Sequence, residues 1–299
     1  MRPTRLTAPG TWHQGDSTRR RLMAHRNKHS RALLQEARTQ LRGPVQAATP
    51  RSCRHLKGRG GVKGAVRPVY RVLHRARFVA RFDIRGYYDS LRHAVVLQQL
   101  QTAGVKPACQ RLIADFLRLP DRRGSGQGIV AGCALSPLLG ALYLAPLDTL
   151  LDQRVTDRRL VAYVRYMDDF VLLADSHWQL RRAIAADHRL LSTLGLELHP
   201  DKRFIGSLKR GFDFLGYRFH PGRRLRPSRE SLRRRQTRAR RLQEQGGDWQ
   251  RLRRYALRWW QYLHAGLGAD RAVPVSRRGG LQKVFTHIRE PHGHGHPPG

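Results

Sequence analysis

The sequence predicts an α+β fold, on three observations. Phe78 to Ile84 alternates, with Phe78, Ala80, Phe82 and Ile84 on one side and Val79, Arg81 and Asp83 on the other, which is the period of a strand. Two short apolar runs, Leu160 to Tyr163 and Phe170 to Leu173, flank a tight turn and so predict an antiparallel hairpin. Longer stretches between and after them carry apolar residues at helical spacing, Leu180, Ile184, Leu191 and Leu194 being one set. An antiparallel sheet backed by helices satisfies all three.

At 299 residues the chain is long enough for one large domain or two small ones. Lys and Arg number 58 against 21 Asp and Glu, a formal net charge of +37. Self-repulsion on that scale predicts an anionic partner, and the excess of arginine suits bidentate phosphate contacts. Cys53, Cys109 and Cys133 are odd in number and lack CxxC spacing, which argues against a disulfide framework or a zinc site. No apolar run reaches transmembrane length and the N-terminus carries no signal-peptide core, so a soluble cytoplasmic protein without membrane contact is expected.

Residues 1–52 read as a basic arm, partly disordered, with a basic helix expected over 19–41. His55 to Arg67 holds four glycines among Lys57, Arg59, Lys63 and Arg67. It lacks the GK[ST] of a Walker loop. It reads as a clamp for a triphosphate or a nucleic-acid backbone, or equally as a flexible basic linker. After the first strand come Gly86, Tyr87, Tyr88 and Asp89, then a helix from Leu91 to Leu100 with Asp89-Ser90 as cap region. Cys109 to Leu119 reads as a helix and Asp121 to Gly128 as an exposed loop. Ser136 and Pro137 are suited to open an apolar helix, which Pro146 must kink or restart.

At the hairpin, Asp168 and Asp169 place two carboxylates side by side in an apolar setting. A divalent cation would relieve their repulsion, whereas a solvated turn would also tolerate them. Ser176 and Gly195 bracket the next helix, Pro200-Asp201-Lys202 forms a turn, and Gly211 to Phe219 a strand or hairpin. Beyond Arg223 the chain turns basic and helical, with Asp248 as a cap and Trp249, Leu252, Tyr255, Ala256, Trp259 and Leu263 as core positions. The tail from 269, ending in His292, His294 and His296, reads as flexible.

Taken in order, a strand aspartate followed by Tyr88, a Gly-x-x-Leu-Ser-Pro helix start, and Tyr-Met-Asp-Asp in a hairpin resemble the palm of reverse transcriptases, in particular the group II intron-like bacterial branch. The Phe-Leu-Gly-Tyr segment resembles that family's primer grip. The resemblance runs from His55 to Phe219. It implies a right-hand polymerase: fingers and palm over 53–222, with the fingers reduced, a helical thumb over 223–268 and a tail over 269–299.

The implied activity is RNA-directed DNA synthesis by two-metal nucleotidyl transfer. The implied partners are an RNA template, a DNA or RNA primer and dNTPs. The implied cofactor is a pair of Mg²⁺ ions, replaceable by Mn²⁺. Asp83, Asp168 and Asp169 would be the catalytic carboxylates and metal ligands, helped by the carbonyl of Ile84. The backbone from Arg85 through Gly86, Tyr87 and Tyr88, with Gly132, would receive the dNTP, and Lys63 and Arg67 its phosphates. The Tyr88 ring would exclude a 2′-hydroxyl. Phe214, Leu215 and Gly216 would grip the primer, and Lys202 would protonate pyrophosphate.

Ala131 stands where the family usually has glutamine, which removes an expected nucleotide contact. No Cys/His cluster indicates an attached nuclease. Two other readings compete: a maturase-like RNA-binding protein with weak or no polymerase activity, and an RNA-directed RNA polymerase on the same palm.

Overall fold

The computed structural model of the chain describes residues 28–118, 125–265 and 267. The readings made for residues 1–27, for 121–124 of the 121–128 loop and for the tail beyond 267 lie outside them. The chain divides into two compact units, 1–210 and 211–299.

The first unit is built on a four-stranded antiparallel sheet, in the order β2 (Ala162–Tyr166), β3 (Asp169–Ala174), β1 (Phe78–Asp83), β4 (Phe204–Ser207). The strand read from alternation alone is an inner one. Val79 and Ala80 point to opposite faces, and both are fully buried. Phe82 and Phe170 are partners across β1 and β3, their ring centroids 5.4 Å apart. Their face is covered by α7 (His177–Leu194), which contributes Leu180, Ala183 and Leu191 to the core.

Helix α7 begins and ends as its sequence signals predict. Ser176 Oγ accepts from the Gln179 amide at 3.2 Å. Gly195 closes the helix at φ 72°, with the Arg92 guanidinium lying where any side chain would have to go.

Around the sheet lie α1 (Lys28–Ala48), α2 (Gly61–Val72), α3 (His93–Thr102), α4 (Pro107–Arg118), α5 (Ser136–Tyr143) and α6 (Ala145–Thr156). Several boundaries differ from expectation. The glycine-rich stretch is half helix: from Gly61 it forms α2, because Ala65, Val66 and Val69 recur at helical spacing and bury against the core. Helix α3 starts at His93 with no side-chain cap, since Asp89 and Ser90 belong to a preceding 3₁₀ turn. Ser136 does not cap α5. Its hydroxyl donates to Val130 O instead, and Leu135 takes the cap position. Pro146 restarts rather than kinks, opening α6 after a break at Leu144.

The stripe of α7 that faces the core contains one ionisable residue. Asp187 is completely buried, and neither carboxylate oxygen has a hydrogen-bond partner among the described residues. Burial pushes its pKa from 3.8 to about 8, so the folded chain holds it protonated at neutral pH. The unfolded chain ionises it above pH 4. Stability is therefore undiminished below about pH 4, declines as pH rises from 4 to 8, and is flat above, at up to ~1.4 kcal/mol per pH unit. Asp187→Asn keeps the shape and abolishes the titration. We expect its melting temperature to match wild type near pH 4.5 and to exceed it by several degrees at pH 8. A difference that did not change with pH would mean that the carboxyl does not titrate in a buried setting.

The second unit contains a three-stranded antiparallel sheet, β5 (Phe212–Phe214), β6 (Tyr217–Phe219) and β7 (Arg226–Pro227), and two helices, α8 (Arg229–Glu244) and α9 (Trp249–His264). Asp248 caps α9 by accepting from the Arg251 amide at 2.7 Å. Leu252, Ala256 and Leu263 are buried as expected, and Trp259 lies under the Arg235 guanidinium, 5.1 Å from its ring centre.

Candidate active site

Three carboxylates distant in the sequence meet at one end of the main sheet. Asp83 ends β1 and Asp169 begins β3, and the two are register partners. Cross-strand partners share a face, so both carboxylates project from the face opposite Phe82 and Phe170. Asp168 lies in the two-residue turn between β2 and β3, and the Ile84 amide donates to its carbonyl at 3.2 Å. That bond ties the end of β1 to the turn.

The turn is strained and held from both sides. Met167 has φ 57°, a left-handed conformation uncommon for a side-chain-bearing residue. Its amide donates to His55 Nδ1 at 3.0 Å, and its carbonyl accepts from the Arg165 guanidinium at 2.9 Å. With Nδ1 accepting, the bond from His55 Nε2 to Pro137 O at 3.0 Å requires the proton on Nε2. Burial, and next the charge of Arg165, push the His55 pKa down to about 4, so it stays neutral in this role.

Arg165 is itself fully buried. Its Nε donates to Asp148 Oδ1 at 2.7 Å, and that same oxygen accepts from Tyr163 O–H at 2.7 Å. Burial disfavours the guanidinium charge, but the charge of Asp148, its hydrogen bonds to Arg165 and the neighbouring Cys53 and Tyr163 together more than offset it. His55, Asp148 and Arg165 were not singled out from the sequence as site residues. A signal was present: an acid flanked by apolar helix residues, as Asp148 is, and an arginine inside an apolar strand must find each other or remain uncompensated.

The carboxylates are not equivalent. Both oxygens of Asp169 are engaged by Arg81, at 3.0 and 3.2 Å. Burial nevertheless raises its pKa to about 6, with Asp83 and Asp168 adding to the shift and Arg81 opposing it. Asp168 is also raised, first by burial and then by the charge of Asp83. Asp83 has Lys202 Nζ at 3.3 Å. Lys202 lies in the predicted turn, with its side chain 55% exposed.

Asp83 and Asp168 are therefore the hard oxygen donors not already spent on arginine. Among the described residues no group of three or more His, Cys, Asp and Glu side chains is placed to hold a metal ion.

Beyond Asp83 the chain turns at Gly86, φ 52°, into the Tyr87–Asp89 turn. The Arg85 amide is committed to Glu197 O at 2.8 Å, so the expected phosphate cradle shortens to Gly86 through Tyr88. Tyr87 is buried, its hydroxyl donating to Gly140 O. A Cβ at Gly140 would come within 3.1 Å of the Tyr87 ring and 3.2 Å of the Tyr88 ring, so glycine there makes room for both tyrosines.

The Tyr88 phenol is pushed up to about 12, first by burial and then by the charge of Asp168. Gly132 is exposed, with φ 80°. Lys63 and Arg67 lie on α2. Burial, then the charge of Arg67, lowers Lys63 to about 8.

The primer-grip segment belongs to the second unit. Phe214 and Tyr217 pair, leaving Leu215 and Gly216 as a two-residue loop with φ 48° and 84°. Two positive φ values in a row are what a tight hairpin needs to match strand twist. Phe214 is buried, and Phe212 stacks on Phe219 at 5.0 Å.

Protein YkfC of Escherichia coli (strain K12) is 26% identical over 179 residues, covering 48% of this chain and 47% of that protein. The retrovirus-related Pol polyprotein from type-1 retrotransposable element R2 of Popillia japonica is 24% identical over 140 residues, 42% of this chain and 23% of that one. The chain thus spans about half, or less, of the curated relatives it matches. In fold it is similar to apo telomerase of Candida tropicalis truncated from its C-terminal domain, with TM-score 0.51, 13% identity, and coverage of 70% of this chain and 49% of that one. The family described as reverse transcriptase (RNA-dependent DNA polymerase) matches residues 17–219. That match takes in more than half of the chain and every carboxylate of the site, and the protein belongs to the reverse transcriptase family.

Proposed function

We propose that the protein is an RNA-directed DNA polymerase of the group II intron-like bacterial branch, acting in the cytoplasm and extending a primer on an RNA template. The observation that carries this reading is the meeting of Asp83 with the Asp168–Asp169 turn at one end of the sheet.

Asp83 and Asp168 would hold two Mg²⁺ ions, with the Ile84 carbonyl beside them. Bound there, the ions would make the primer 3′ oxygen nucleophilic and neutralise the leaving pyrophosphate. Asp169, clamped by Arg81, holds the hairpin end against β1 and adds negative charge to the site. The Gly86–Tyr88 backbone and Gly132 receive the incoming nucleotide, and the cations Lys63 and Arg67 of α2 make phosphate contacts. Lys202, exposed and 3.3 Å from Asp83, is placed to deliver a proton to pyrophosphate. The Leu215–Gly216 hairpin grips the primer and the basic helices after it form the thumb.

Tyr88 is assigned as the gate for deoxynucleotides, because it matches the family position whose ring would clash with a 2′-hydroxyl on the incoming sugar. The test is extension of a primed RNA template with Mg²⁺ and either dNTPs or rNTPs. Wild type should use dNTPs at least ~100-fold more efficiently by kcat/KM, and Tyr88→Ala should narrow that preference at least ~10-fold with little loss on dNTPs. No extension by wild type would sink the polymerase reading. An unchanged preference in Tyr88→Ala would sink the gate.

A further inference from the structure

The chain that pairs with the end of β1 does not run straight. Arg81 pairs with Phe204 and Ile84 with Leu198, both antiparallel. Three steps along β1 thus face six steps along its partner, and three residues are looped out between Leu198 and Phe204. Such a loop-out is a bulge, which interrupts regular pairing and re-aims a side chain. It lies opposite Phe82 and Asp83. The side chain it aims is that of Lys202, whose Nζ is 3.3 Å from Asp83 Oδ1.

The bulge is tied down on its N-terminal side. The Arg85 amide donates to Glu197 O at 2.8 Å, and the His199 amide donates to Asp83 O at 2.7 Å. Beyond His199 the turn is exposed from Pro200 to Arg203, so core packing does not shape it. Two local devices do. Pro200 restricts its own φ, and His199 Nδ1 accepts from the Asp201 amide at 3.2 Å. One residue is therefore bonded to Asp83 through its backbone and to the Lys202 turn through its side chain.

We propose that His199 is a positioning residue: it holds the bulge in the shape that keeps the Lys202 ammonium at the carboxylate site. In this way it sets how well Lys202 delivers its proton. The inference rests on the polymerase reading. In that reaction the primer 3′ oxygen loses its proton to water and bonds to the α-phosphorus, and the bond from that phosphorus to the α–β bridging oxygen breaks. The electron pair stays on pyrophosphate, which takes a proton from Lys202, and the amine regains one from solvent. A lysine on an exposed turn spreads over many rotamers unless its backbone is fixed, and His199 supplies the fixing bond.

The test is single-turnover addition of one dNTP to a primed RNA template with Mg²⁺. His199→Ala should lower the maximal rate ~10-fold and leave the KM for dNTP within ~2-fold. In a Lys202→Gln background the same substitution should cost no more than ~2-fold, because no ammonium is left to place. His199→Asn should stay within ~3-fold of wild type, since an asparagine oxygen can accept from the amide two residues on. A second readout compares β,γ-difluoromethylene with β,γ-methylene dNTPs, the first releasing the less basic leaving group. Their rate ratio should widen at least ~3-fold in His199→Ala, because a basic leaving group depends more on its acid. Equal losses in the two backgrounds, an unchanged ratio, or His199→Asn as slow as His199→Ala would each overturn the role of His199 and leave the polymerase reading standing. No addition by wild type would overturn both.

Discussion

Asp168→Asn is expected to reduce primer extension by about a thousand-fold or more while leaving RNA affinity within ~2-fold of wild type. The substitution keeps the size of the side chain and removes one of the two carboxylates not engaged by arginine. It also relieves repulsion from Asp83, which with burial raises the proton affinity of Asp168, so thermal stability should hold or rise. Loss of activity then reports lost metal ligation, not lost folding. Two measurements decide the matter: single-nucleotide extension with Mg²⁺, and equilibrium binding of the primed template. If extension survived in Asp168→Asn, the carboxylates would not be the catalytic centre. The RNA-binding, maturase-like reading would then take precedence.

Arg165→Met should produce the largest loss of stability, ~3–5 kcal/mol, because it leaves Asp148 buried without a cation. For a unit of this size that is a fall in melting temperature on the order of 10 °C. The double variant Arg165→Met/Asp148→Leu removes both charges and should recover most of the stability. It should not recover activity. Met167 O still lacks its donor, and the left-handed turn that carries Asp168 loses one of its two supports. Chemical denaturation together with single-turnover extension separates the two effects. Full activity in the stable double variant would show that Arg165 serves folding alone.

Much of this protein was legible in its sequence because the signals are local. Alternation from Phe78 to Ile84 marks a strand, and Ser176 and Gly195 mark the ends of a helix. Asp83 and the Asp168–Asp169 pair were conspicuous as carboxylates in an apolar strand and hairpin, but a solvated turn would tolerate the pair equally, and their site role came from the resemblance to reverse transcriptases. Helix α2 was legible too, in the spacing of Ala65, Val66 and Val69, but its glycines suggested a loop. Glycine lowers helix propensity by only about 1 kcal/mol per residue, which the burial of three apolar side chains outweighs.

The amino-acid order by itself determined which residues could bear charge in an apolar setting: the three aspartates, and a positive surplus that calls for phosphate. Tertiary structure alone decided how those charges divide. Asp169 went to Arg81, Asp148 to Arg165, and Asp83 came to face Asp168 and Lys202. Partners separated by 17 to 119 positions cannot be matched by spacing along the chain. Strand register and helix packing set their distances, and in a medium of low dielectric those distances settle which charges cancel and which stay available for a metal.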